Sequence, residues 1–193
     1  MIIDISQEVL SCKVWPGDPE PEATRLYEIK KGDIINLTKF AMCAHNGTHV
    51  DAPLHFIEDG KSIDQMPLEP FVGDCYVAQH EGDITAIDAE NILHEAEKAG
   101  AAKRILIAGK ATVTAEAAEV FVKADIVLIG NESQTVGPEN APMQVHLILL
   151  GAGIVLLEGI VLKDVQPGKY FLSAAPLNIA GAEGAPCRAC LIQ

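Results

Sequence analysis

The chain is poor in positive charge. Its 193 residues hold 14 Lys and Arg against 27 Asp and Glu, a formal charge of −13. A surface this negative repels phosphate backbones and anionic headgroups, which argues against nucleic-acid and membrane partners. Aromatic residues are few, with one Trp and three Tyr. No internal repeat, low-complexity tract or linker-like segment divides the sequence. A secretory signal is not expected, because Met1 leads straight into IIDIS, which reads as a strand. The five cysteines (Cys12, Cys43, Cys75, Cys187, Cys190) are odd in number and scattered. That fits a reduced, cytoplasmic protein better than a disulfide framework. Cys187 and Cys190 form a CxxC with no second pair to complete a zinc site, so they read as structurally incidental.

What is present is apolar mass. Apolar residues make up 49% of the chain, enough for one domain over 1–193 with a real core. One run, Val145 to Leu162, could be mistaken for a membrane span. Gly151 and Gly153 break it, and Glu158 would lie in the bilayer at large cost. It reads as a buried helix, a tight turn and a buried strand.

Up to about Asp83 the chain is irregular, with Pro and Gly in VWPGDPEPE and MPLEPFVGD. That predicts short strands and long loops. Beyond it the pattern is regular. Asp88 to Ala99 reads as a helix stopped by Gly100, and Arg104 to Ala108 as a buried strand. Thr114 is a natural N-cap for a helix through Val122. Asp125 to Ile129 follows as a strand, and Pro142 opens a helix that ends at Gly151. Ile154 to Leu157, Tyr170 to Ala174 and Arg188 to Ile192 complete the strands. The expected class is α/β with a mixed sheet.

The chemistry gathers in HNGTHVDAPLHF, where His45, His49, Asp51 and His55 form the pattern H-x3-H-x-D-x3-H. Imidazole and carboxylate donors together suit Zn, Mn or Fe. Gly47, Thr48, Val50 and Pro53 disfavour a helix here. In an extended chain the four odd-numbered groups share one side, but ten residues span roughly 33 Å. The chain must bend, and Gly47 and Pro53 are suitable places. A metal site, a hydrogen-bonded structural cluster and a surface accident are the three readings of this spacing. A second observation is that only His146 and Glu158 are ionisable within the apolar run 145–162. A buried charge is costly unless paired or bound to metal. The two can therefore approach the same cavity, or else lie on an exposed helix face and at a strand end.

HNGTHVDAPLHF resembles the signature H-x-G-T-H-x-D-x-P-x-H-F of the cyclase family of metal-dependent hydrolases, which includes bacterial kynurenine formamidase and isatin hydrolase. WPGDPEP, HLILLGAGIVLLEGI and APLNIAGAEGAPCRACLI resemble further family blocks in the same order, covering nearly the whole chain. The resemblance implies a swivelling β/β/α type of fold and a homodimer or homotetramer. It implies that His45, His49 and Asp51 bind metal, with Asp51 bridging two ions, and that His146 and Glu158 complete a binuclear zinc or manganese site. His55 takes the role of general acid/base and Trp15 lies against the substrate. The implied activity is hydrolysis of an amide, cyclic amide or ester in a small carbonyl compound by hydroxide made at the metal. A polyketide-type cyclase or dehydratase, and a non-catalytic metal-binding module, are the alternatives. Asn46, IAGKATVTAEAAEVF and GNESQTVGPEN depart from the formamidase pattern, so the metal site is better supported than an arylformamide substrate. His80 and His94 read as solvated, and Lys110 and Gln134 lie in segments that can edge the pocket.

Overall fold

The computed structural model describes residues 1–193. In chain order the elements are β1 (Ile2–Asp4), β2 (Glu22–Tyr27), β3 (Leu37–Ala41), β4 (His49–Asp51), β5 (Val72–Gln79), β6 (Gly82–Ile84), α1 (Ala86–Lys98), β7 (Arg104–Ala108) and β8 (Ala111–Val113). They continue with α2 (Ala115–Lys123), β9 (Leu128–Asn131), α3 (Met143–Gly151), β10 (Val155–Glu158), β11 (Gly168–Ser173), β12 (Gly184–Pro186) and β13 (Cys190–Ile192).

Nine strands form one sheet in the order β1-β13-β11-β5-β7-β9-β10-β4-β12. β5, β7, β9 and β10 run parallel, and the flanking pairs are antiparallel, so the sheet is mixed as expected. α1, α2 and α3 are the crossovers between the successive parallel strands. Both faces of the central strands are buried, which is why RILIA and VLLE read as unbroken apolar runs. Alternation still sorts their side chains. Leu106, Ala108, Val155 and Leu157 face a core closed by Phe71, Tyr170 and Leu172. Ile105, Ile107, Ile129 and Leu156 face a second core closed by the helices through Leu93, Phe121 and Leu149. Each large apolar side chain buried in this way contributes about 1.5–3 kcal/mol.

Local signals explain the boundaries. α1 begins two residues earlier than the apolar spacing predicts, because Thr85 and Asp88 form a reciprocal capping box. Thr114 caps α2 through a bond from the Ala117 amide, as expected. β9 starts later than predicted. Asp125 sits at φ 53° in the turn that ends α2, and only then does the chain extend. Val145 to Leu162 is a helix, turn and strand, and no helix is long and apolar enough to cross a membrane. The irregular N-terminal region contains one element its composition conceals, the eight-residue central strand β5.

Candidate metal centre

The motif bends where Gly and Pro allow it. Gly47 adopts φ +67°, and a Cβ there would lie 2.8 Å from the Cys12 Cβ, so position 47 excludes a side chain. Thr48 Oγ1 donates to the Gly159 carbonyl at 2.6 Å and accepts from the Gln7 amide at 2.9 Å. This anchors β4 between the N-terminal segment and β10. Pro53 then opens a single 3-10 turn, Pro53–His55, which swings His55 back toward the strand.

Register does the rest. β10 pairs with β4 so that Glu158 stands opposite His49, and β12 pairs so that Gly184 stands opposite Asp51. His49, Asp51 and Glu158 therefore share the sheet face that meets α3. From α3, His146 points down onto them. The site lies beyond the carboxyl ends of β9 and β10, where ligands bind in open α/β sheets.

The cluster is tight. His45 Nδ1 is 2.8 Å from Asp51 Oδ1. His49 Nδ1 is 2.9 Å from the Gly47 carbonyl, which turns Nε2 to 3.4 Å from Asp51 Oδ1 and 3.5 Å from Glu158 Oε2. His146 Nδ1 likewise reaches the Pro142 carbonyl at 2.9 Å, leaving Nε2 3.3 Å from Glu158 Oε1 and 3.6 Å from Asp51 Oδ2. His49, Asp51, His146 and Glu158 are all at most 3% exposed. Two donor sets result, His45–His49–Asp51 and Asp51–His146–Glu158, with Asp51 common to both.

Electrostatics shows what the cluster wants. Burial opposes charge on His49, but Asp51 and Glu158 outweigh it and raise its pKa to about 10. Against the same burial, Asp51 and Glu183 raise His45, and Glu158 and Asp51 raise His146. Burial resists ionisation of Asp51, yet His45 and His49 hold its carboxyl well below the usual range. The carboxylates thus demand positive charge between them. Asp51 Oδ2 is buried with no hydrogen-bond partner. A buried acceptor oxygen left without a hydrogen bond costs on the order of 1–3 kcal/mol. A divalent cation among these His and carboxylate donors would meet that demand, so the residues fit a metal.

His55 differs from the other histidines of the cluster. Its ring stacks on His45 at 4.0 Å between centroids, and it is only partly buried. Burial lowers its pKa, and the nearby carboxylates only partly offset this. His45, His49 and His146 each have Nδ1 hydrogen-bonded, whereas no side-chain bond holds the His55 ring. It lines a cavity of about 260 Å³ together with Trp15, Phe56, Gln134, His49 and Glu158.

All six motif and downstream residues singled out by sequence, and Trp15, therefore meet at one place. Gln134 also lines the cavity, while Lys110 is exposed and does not. His94 is exposed, and His80 is partly buried beside the Asp83 carbonyl. Asn46 serves the fold, because its Nδ2 donates to the Pro19 carbonyl at 3.1 Å and stitches the WPGDP turn to the motif. Sequence reasoning missed Glu183, whose Oε1 lies 3.2 Å from His45 Nε2. It also missed Gly184, where a Cβ would lie 2.8 Å from the His45 ring. The signal was the AEGAP run, residues 182–186, which leads into and forms β12, in a block the resemblance covers.

Comparison with known proteins agrees with this geometry. The Cyclase family model, described as "Putative cyclase", matches residues 3–138. Kynurenine formamidase of Salinibacter ruber is 33% identical, covering 98% of this chain and 96% of that protein. Kynurenine formamidase of Erythrobacter litoralis is also 33% identical, with 98% and 93% covered. A solved "potential metal-dependent hydrolase with cyclase activity" superposes with TM-score 0.84 at 26% identity, covering 99% of this chain and 96% of its own. Isatin hydrolase A of Labrenzia aggregata shares the fold, with TM-score 0.83 at 21% identity over 99% of this chain and 93% of its own. With most of its length matched by the family model and nearly all of it by the two formamidases, the chain belongs to the cyclase family.

Proposed function

We propose that this chain is a metal-dependent hydrolase of amide or cyclic amide bonds, formamidase-like in its chemistry, with residues 1–193 acting as one domain. The observation that carries this reading is Asp51. It lies between two imidazole and carboxylate sets with one oxygen unpartnered, beside a cavity that holds an unengaged histidine.

His45, His49 and Asp51 would hold one ion, and Asp51, His146 and Glu158 a second. Zinc and manganese both suit this donor set. When bound, such ions acidify water and polarise a carbonyl oxygen. The protein groups do the rest. Asp51 and Glu158 keep the two donor sets together. The Gly47 and Pro142 carbonyls fix the tautomers of His49 and His146, so that each presents Nε2. His55, held neutral by burial, takes a proton from the attacking water and returns it to the leaving nitrogen. Trp15 and Phe56 give the cavity two aromatic walls for a planar acyl substrate. At about 260 Å³ the cavity suits a small molecule rather than a polymer. A cytoplasmic homo-oligomer is part of this reading.

The test is hydrolysis of N-formylkynurenine before and after chelation. Chelator-sensitive hydrolysis supports the proposal. Bound metal with no hydrolysis of this compound rejects the substrate and turns the search to lactams, esters and other amides. A non-catalytic module would hold metal but show no dependence on His55 for any hydrolysis.

A further inference from the structure

The segment that follows β9 borders the cavity, and hydrogen bonds fix it on several sides. Glu132 accepts from the Gly109 amide at 2.7 Å and from the Leu162 amide at 2.8 Å. The Ser133 carbonyl accepts from the Gly159 amide at 2.7 Å. The Val136 amide donates to Glu158 Oε1 at 2.8 Å. Between these anchors Gln134, only 9% exposed, lines the cavity.

The Gln134 amide can stand only one way round. Nε2 donates to the Lys13 carbonyl at 2.6 Å, and a carbonyl accepts but never donates. Oε1 is therefore the free end, and no group of the protein donates to it. A molecule that fills the cavity must donate to this oxygen or leave a buried acceptor unmet.

Charge adds a second selection. Asp18 ends the turn that begins at Trp15, its amide donating to the Trp15 carbonyl at 3.0 Å, and both residues line the cavity. Asp18 is exposed whereas His49 and Glu158 are buried, so the turn forms the rim and the cluster forms the floor. A carboxylate beside an indole suits a cation. None of the lining residues is Lys or Arg, the side chains that pair with a carboxylate. The formal charge of −13 repels anions before they arrive.

We infer that Gln134 and Asp18 select acyl amides whose end remote from the scissile bond carries an amino or other hydrogen-bond donor, and reject those that carry a carboxylate there. Which bond is cut rests on the proposed hydrolase site; what is bound rests on the cavity alone.

Trp15 is the only tryptophan, so its fluorescence reads binding without turnover. The metal-loaded chain is titrated with four acetophenones, which hold no amide bond to cut. Their meta substituents are aminomethyl, hydroxymethyl, ethyl and carboxymethyl. The wild type should bind the aminomethyl ketone about tenfold or more tightly than the carboxymethyl one. The hydroxymethyl ketone should bind more tightly than the ethyl one. The matching formanilides should follow the same order in kcat/KM. Gln134→Met should close the gap between hydroxymethyl and ethyl, and Asp18→Asn the gap between aminomethyl and hydroxymethyl. If Gln134→Met fails to fold, the wild-type order and Asp18→Asn decide. A wild type that takes the carboxymethyl ketone as tightly as the aminomethyl one overturns the inference. Variants that weaken all four ketones alike also overturn it, because they leave Gln134 and Asp18 with no more than a structural role. Ordered binding with no formanilide hydrolysed rejects the hydrolase reading and leaves this inference standing. Hydrolysis with no such order does the reverse. No response to any ketone, with no formanilide hydrolysed, overturns both.

Discussion

Glu183 reaches His45 across most of the chain: its Oε1 lies 3.2 Å from His45 Nε2, while the opposite ring nitrogen faces Asp51 at 2.8 Å. The imidazole is thus held from both sides. A carboxylate behind a ligand histidine fixes the ring and raises its basicity. Glu183→Gln should therefore weaken metal binding by roughly 10–100-fold. Competition with a chromogenic chelator measures this, and an unchanged affinity would show that Glu183 is a bystander.

Gly184 makes room for that ring. A Cβ at this position would lie 2.7 Å from the Val50 carbonyl oxygen and 2.8 Å from His45 Cε1. Gly184→Ala should displace β12 or His45, lowering both the melting temperature and the metal content. A variant with wild-type melting and full metal loading would contradict the packing described for β4 and β12.

His55 can be separated from the ligands by what its removal leaves intact. His55→Ala should keep metal content and folding but lose about 10²–10⁴-fold in turnover. Loss of metal in this variant would make His55 a ligand instead of a proton carrier.

Cys187 of the C-terminal CxxC is expected to be chemically quiet. Burial pushes the Cys187 thiol up to about 12. A raised thiol pKa means the reactive thiolate is scarce until the pH approaches that value. Cys187 should escape alkylation by iodoacetamide at pH 8 in the folded protein and react only after unfolding. Rapid labelling of the native protein, read by peptide mass spectrometry, would contradict this.

The core and the residues of the candidate site were legible because their signals are local. Apolar runs marked β7 and β10, Thr114 marked the start of α2, and the motif's odd spacing with Gly47 and Pro53 foretold a bent strand. His146 and Glu158 stood out as the only ionisable groups in an apolar run. Three features were not legible. The β2–β3 hairpin is exposed on both faces, so its strands carry no alternation to read. β5 mixes Gly73 and Asp74 into a strand whose burial is set by neighbours far along the chain. Glu183 looks like any surface glutamate until the pairing of β12 with β4 delivers it to His45.

The most direct test of the central claim is metal analysis of the wild type and of Asp51→Ala, each reconstituted with zinc or manganese and then freed of loosely held ions. The arrangement of Asp51 between the two donor sets predicts stoichiometric metal in the wild type and its loss in the variant. A wild type that holds no metal, or a variant that holds as much, would contradict it.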